Sequence, residues 1–130
     1  MWLSGLDPKL REAVERCDRW VDPFREVMFD VIVADSFKDT NWMVMVDMIE
    51  RARRRLSVAL ETTKTIDMGE YALVSSWIDQ LIDKAKKRDR KGWEEVVEKA
   101  VPGLIDMVFV KYAMCINNTT QTTHPQSTNQ

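Results

Sequence analysis

Asn41–Thr62, NWMVMVDMIERARRRLSVALET, sets the architecture of this chain. At 100° per residue Trp42, Met45, Val46, Ile49, Ala52, Leu56, Ala59 and Leu60 fall on one stripe, the signature of an amphipathic helix. Asp39-Thr40-Asn41 offers capping oxygens ahead of it, and Thr62-Thr63-Lys64-Thr65 favours a break behind it. With the stripe turned inward, Arg51, Arg54 and Arg55 project from the opposite side and Arg53 lies at the edge. One helix thus carries a core-forming face and a concentrated positive face.

The flanking sequence follows the same period. Asp7-Pro8 starts a helix, because the aspartate accepts bonds from free amides and proline at the first helical position loses none. Leu10, Ala13, Val14, Cys17 and Val21 recur at helical spacing. Asp22-Pro23 repeats the start signal before Phe24, Val27, Met28, Val31 and Ile32, which predicts two short helices joined by a bend. Downstream, Tyr71, Val74, Ile78, Leu81, Ile82 and Ala85 predict a helix that stops before Gly92. Trp93, Val96, Val97 and Ala100 suit a short one, and Pro102-Gly103 breaks the chain before Leu104–Ile116, apolar on almost every side and so expected at the centre. The fold expected is all-α, a compact bundle of about five or six helices.

Two segments fall outside this pattern. Residues 1–6 form an apolar leader in which Trp2 and Leu3 need something to cover them. From Asn117 the chain turns to Asn, Thr, Gln and Ser, with neither charged nor apolar residues, and residues 117–130 are expected to be a flexible polar tail on a helical domain of residues 1–116. Asn117-Asn118-Thr119 and Asn118-Thr119-Thr120 match a glycosylation triplet, a pattern with many false positives.

A chain of 130 residues with 45% apolar and 31% charged residues fits one soluble globular domain. The start lacks the basic and apolar regions of a secretory signal, and Leu104–Ile116 falls short of the roughly 20 residues that cross a bilayer. No membrane span is expected. Cys17 and Cys115 lie within helical patterns, which suggests buried thiols in a reducing compartment, with a disulfide between them as the alternative. Up to Ile116 the chain has one Asn and one Gln, Asn41 and Gln80, amid plentiful Glu, Lys and Arg, a composition known from hot environments.

The residues do not announce an enzyme. His124, the sole histidine, sits in the polar tail, leaving no base for serine or cysteine catalysis. The cysteines are not in metal-ligand spacing, and Gly5, Gly69, Gly92 and Gly103 are too scattered for a phosphate loop. Asp79 with Asp83 and Asp35 with Asp39 are four apart, an ordinary arrangement on exposed helix faces, and Asp83 can pair with Lys87. No catalytic residue, metal or cofactor is expected.

Charge is the stronger lead. The net charge of −2 divides into 6 Lys/Arg against 11 Asp/Glu in residues 1–50, 11 against 6 in 51–91, and 2 against 4 in 92–130. The basic middle holds Arg51, Arg53, Arg54 and Arg55, then Lys84, Lys86, Lys87, Arg88, Arg90 and Lys91. Lys84, Lys87 and Lys91 share one side of their helix, and Lys86 and Arg90 lie beyond the other edge. Such groups can hold backbone phosphates without reading bases, or form a solvated face partly neutralised by Glu50, Glu61, Asp83 and Asp89. Val44 and Val58 on the arginine side, Leu73 and Trp77 off-centre on the next helix, and Trp2 and Leu3 are apolar residues left over after one core is built. They are the candidate subunit interface.

In size, helical pattern, amide-poor body, apolar leader and polar tail the chain resembles the small all-helical coat proteins of filamentous viruses of hyperthermophilic archaea, of the tristromavirus kind. The resemblance implies a capsid protein located in the virion and made in the host cytoplasm. It further implies pairing with itself or a related subunit, and wrapping of double-stranded DNA by the two basic clusters. The alternative expectation is a small cytoplasmic oligomer, a helical adaptor or regulator associated with nucleic acid.

Overall fold

The computed structural model describes residues 7–62 and 66–122, with side chains as far as Asn118. Among the described residues it is all-α and has four helices: α1 (Pro8–Asp35), α2 (Trp42–Thr62), α3 (Met68–Lys86) and α4 (Arg90–Thr122). Trp2 and Leu3 of the leader, Thr63–Thr65 and residues 123–130, with His124, lie outside them. Each helix packs on its neighbours in sequence, and α4 closes the ring against α1. This is an up-down-up-down bundle.

Four helices rather than five or six result because two expected breaks do not break. Pro23 lies inside α1. Val21 and Phe24, on either side of it, are both fully buried, and continuing the helix keeps both in the core. Burying two such side chains, at about 1.5–3 kcal/mol each, outweighs the roughly 3 kcal/mol cost of an interior proline. Asp22 is occupied by Arg25 rather than by a cap. Pro102 is likewise carried within α4, between buried Ala100 and Leu104.

The third expected break, before Gly92, does occur, but upstream of the glycine, which lies in the first turn of α4. Arg88 takes the left-handed conformation at φ 53°, and Asp89 accepts a bond from the Gly92 amide at 2.9 Å. A Cβ on Gly92 would meet that carboxylate and stand 2.7 Å from Lys84 Cδ. The glycine serves a close approach at a helix start, not a stop. At the α3 start the local signal is complete, since Asp67 and Glu70 form a capping box.

The core is a stripe from each helix: Phe24, Val27 and Val31 of α1, Met45, Ile49 and Leu56 of α2, Val74, Ile78 and Leu81 of α3, Trp93, Val96 and Leu104 of α4. Trp42 meets Trp93 edge to face, and Trp93 Nε1 donates to Asp35 at 2.8 Å. A ring of four helices has no central member, so Leu104–Ile116 is not central as expected. It buries Leu104, Lys111 and Cys115 and turns Phe109, Val110 and Met114 outward.

The lengths are unequal. At 1.5 Å per residue α1 and α4 run about 42 and 50 Å, against about 32 and 29 Å for α2 and α3. They overrun the others at the end where α1 begins, and there Cys17 and Cys115 form a disulfide, with Cα atoms 5.7 Å apart. This corrects the reading of two buried thiols. Residues 98 apart in sequence come level because α1 and α4 are antiparallel neighbours. Next to it, buried Lys111 is compensated by Glu70 at 3.0 Å and by the rings of Trp20 and Phe24, 4.9 and 5.5 Å from its Nζ. The change of composition at Asn117 does not end the helix, which runs on to Thr122.

Candidate nucleic-acid interface

The α2 period turns Arg51, Arg54 and Val58 to solvent, opposite the buried stripe. Arg53 and Arg55 sit on the two flanks and are engaged there. Arg53 reaches α3 to pair with Asp79. Arg55 reaches α1, bonding Asp30 at 2.8 Å with Glu26 at 3.9 Å. Asp30 is nearly buried, and burial raises its carboxyl above the usual range against the pull of Arg55 and Arg51. Arg55 thus has a structural task, and the outward face expected of three arginines is formed by Arg51 and Arg54, which make no ion pair among the described residues.

Beside these two runs a groove of about 470 Å³ lined by Glu26, Arg51, Arg54, Arg55, Val58, Ala59 and Thr62. Its floor is aliphatic and its rim cationic, and its one carboxylate, Glu26, is held by Arg55. An anionic oxygen entering it would meet guanidinium groups with free donors.

The second cluster is spent largely inside the fold. Lys84 lies 3.7 Å from Asp89, Lys86 3.8 Å from Glu50, and Lys87 3.2 Å from Asp83, the pairing expected from the spacing. Arg90 pairs with Asp39 and, at 3.4 Å, with Glu94. Glu94 also accepts from Lys38 at 3.1 Å, which with Arg90 holds its carboxyl below the usual range and ties the α1–α2 turn to the start of α4. Arg88 and Lys91 remain exposed and without an ion pair among the described residues. Arg88 borders a smaller groove with Trp42, Met43, Asp47 and Lys86. Since Lys86 meets Glu50, this groove lies within about two turns of Arg51 along the α2–α3 surface.

The four carboxylates singled out by spacing are engaged too: Asp79 by Arg53, Asp83 by Lys87, Asp35 by Trp93 and Lys38, Asp39 by Arg90. Among the described residues no group of three or more His, Cys, Asp and Glu could hold a metal ion.

The candidate interface residues divide as well. Val58 and Leu73 are exposed and Val44 is half-buried. Trp77 is half-buried against the core, its indole lying over Gly103 so closely that a Cβ there would stand 2.9 Å from Cζ2. Sequence reading missed the larger apolar surface, that of α4, because an all-round apolar pattern looks the same at the centre of a bundle and on a helix with an occupied outer face. With its breaks bridged, α4 is long and apolar enough over Arg90–Asn118 to cross a bilayer by length and composition, although its first half carries Glu94, Glu95, Glu98 and Lys99. Comparison of the chain with protein-family models, curated proteins and solved structures finds no match.

Proposed function

We propose that this chain is a structural coat subunit that assembles with copies of itself or a related subunit and holds nucleic acid, double-stranded DNA foremost, by its phosphates and without reading sequence. The observation that carries the proposal is the outward pair Arg51 and Arg54, without an ion pair among the described residues, beside a groove with an aliphatic floor and a cationic rim. Arg88 and Lys91 extend the positive surface at the other end of α2 and α3. Two to four such cations per subunit on the α2–α3 surface give weak, salt-sensitive binding, which becomes strong when many subunits line one polyanion. The exposed apolar face of α4 supports the assembly side of the proposal.

The disulfide fits the same picture. Cross-links of this kind occur outside the reducing cytosol and inside the cells of hyperthermophiles, and the amide-poor body points to heat. The subunit would be made in the host cytoplasm and reside in the virion.

Electron microscopy of the purified chain mixed with linear DNA, together with nuclease digestion, tests the proposal. Filaments and protection along the whole duplex regardless of sequence are expected. A sample that stays small and leaves the DNA fully digestible at low salt would overturn the coat reading in favour of a small oligomeric adaptor.

A further inference from the structure

The outer face of α4 changes character at Pro102. Before it stand Glu95, Glu98 and Lys99; after it come Ile105, Phe109, Val110, Ala113 and Met114, all exposed, with Asp106 as the only charge before the amides of Asn117 and Asn118. Phe109 is 70% exposed, Val110 57% and Met114 54%. Together these side chains present about 400 Å² of apolar surface, a patch as large as a soluble monomer usually tolerates. The disulfide to α1 and the Lys111–Glu70 pair to α3 tie the inner side of α4 to the bundle.

We infer that this face is a homotypic interface, across which α4 of a second copy lies antiparallel about a twofold axis between Phe109 and Ala113. The surface is complementary to itself. Bulky Phe109 and small Ala113 are one turn apart on the same face, so the twofold sets each phenyl ring over the other copy's alanine. The same register brings Ile105 opposite the second copy's Asn117 and places Asp106 beside the amides of Asn117 and Asn118, which can donate to its carboxylate. No like charges meet, because the two Asp106 side chains lie at opposite ends of the interface. About 800 Å² in total would be buried, below the roughly 1,200 Å² at which stable specific pairs begin, which suits a weak association repeated through an assembly rather than an obligate dimer. The inference deepens the assembly half of the proposed function and is independent of the nucleic-acid half.

Sedimentation of the full oxidised chain from about 5 to 500 μM tests it. The wild type is expected to show a monomer–dimer equilibrium. Phe109→Ala should weaken it at least tenfold by removing the knob, and Ala113→Phe by a similar factor because two rings then compete for one space, each an order-of-magnitude expectation for a central anchor. The double variant Phe109→Ala with Ala113→Phe exchanges knob and hole and should restore pairing to within about threefold of wild type, the non-additivity expected of groups that touch. Both positions are exposed, so the thermal melts at low concentration should coincide and separate loss of pairing from loss of fold. A chain monomeric throughout, a dimer indifferent to either single change, or a double variant no better than the singles would each overturn the inference. So would a membrane result, in which the chain stays monomeric and Ala113→Phe increases sedimentation with phosphatidylcholine vesicles. DNA binding at low salt, measured on the same variants, reports on Arg51 and Arg54 separately, so either reading can fail without the other.

Discussion

Breaking the Cys17–Cys115 bond should lower stability by as much as the largest single core truncations. The bond joins residues 98 apart, nearly the whole described chain, and with it in place the unfolded chain cannot separate the start of α1 from the end of α4. Loop-closure entropy for that separation gives about 4.7 kcal/mol at 25 °C. With an unfolding entropy near 2.1 cal/mol/K per residue over 130 residues, this corresponds to a fall in melting temperature of roughly 17 °C. The assay is thermal unfolding followed by circular dichroism at 222 nm, comparing the oxidised chain, the chain in reductant and Cys17→Ser/Cys115→Ser. The last two should coincide, and amide exchange should speed up first in residues 8–19 and 114–118, where α1 and α4 run past the other helices. A fall under about 3 °C would mean that the cross-link does not constrain the unfolded chain, and the entropic argument would fail.

Two further changes probe packing and buried charge. Gly103→Ala should destabilise by about 1–3 kcal/mol despite alanine's higher helix propensity, since its Cβ would press on the Trp77 indole; in a Trp77→Leu background the same change should be neutral or stabilising in urea titrations. Arg55→Ala leaves Asp30 without its 2.8 Å partner and should cost about 1–3 kcal/mol at neutral pH. Asp30 already ionises above its unfolded range through burial, and removing Arg55 raises it further. The penalty should therefore be small in acid, where the carboxyl is protonated in both folded and unfolded chains, and grow as pH rises through the folded value; urea titrations at several pH values read it, and a penalty independent of pH would contradict this role for Arg55.

The all-α class, the buried stripe of α2, the Asp7-Pro8 start and the Asp83–Lys87 pair were legible in the sequence because each depends on residues within one or two turns. The helix count was not. Asp22-Pro23 and Pro102-Gly103 carry local stop signals, and each is overridden by an interaction that no local pattern contains: Val21 and Phe24 in the shared core, Trp77 across Gly103. The disulfide stood only as the alternative to two thiols for the same reason, as it depends on two long antiparallel helices whose continuity those stop signals conceal. At the candidate site, helical geometry correctly set Arg51 and Arg54 outward. It could not foresee that Arg53, Arg55, Lys86 and Arg90 would find carboxylates on other elements, because those partners lie 25 or more residues away.

The salt dependence of DNA affinity bears most directly on the proposal that Arg51 and Arg54 hold phosphates. Fluorescence anisotropy of a labelled duplex, titrated at several salt concentrations, gives the slope of log K against log salt for the wild type and for Arg51→Ala/Arg54→Ala. Removing one cation from a phosphate should flatten that slope by about 0.9, so the double variant should drop close to two units on every duplex sequence alike while its helical spectrum and melting temperature hold. An unchanged slope, or an effect confined to one sequence, would contradict the assignment of these two arginines to the phosphate backbone.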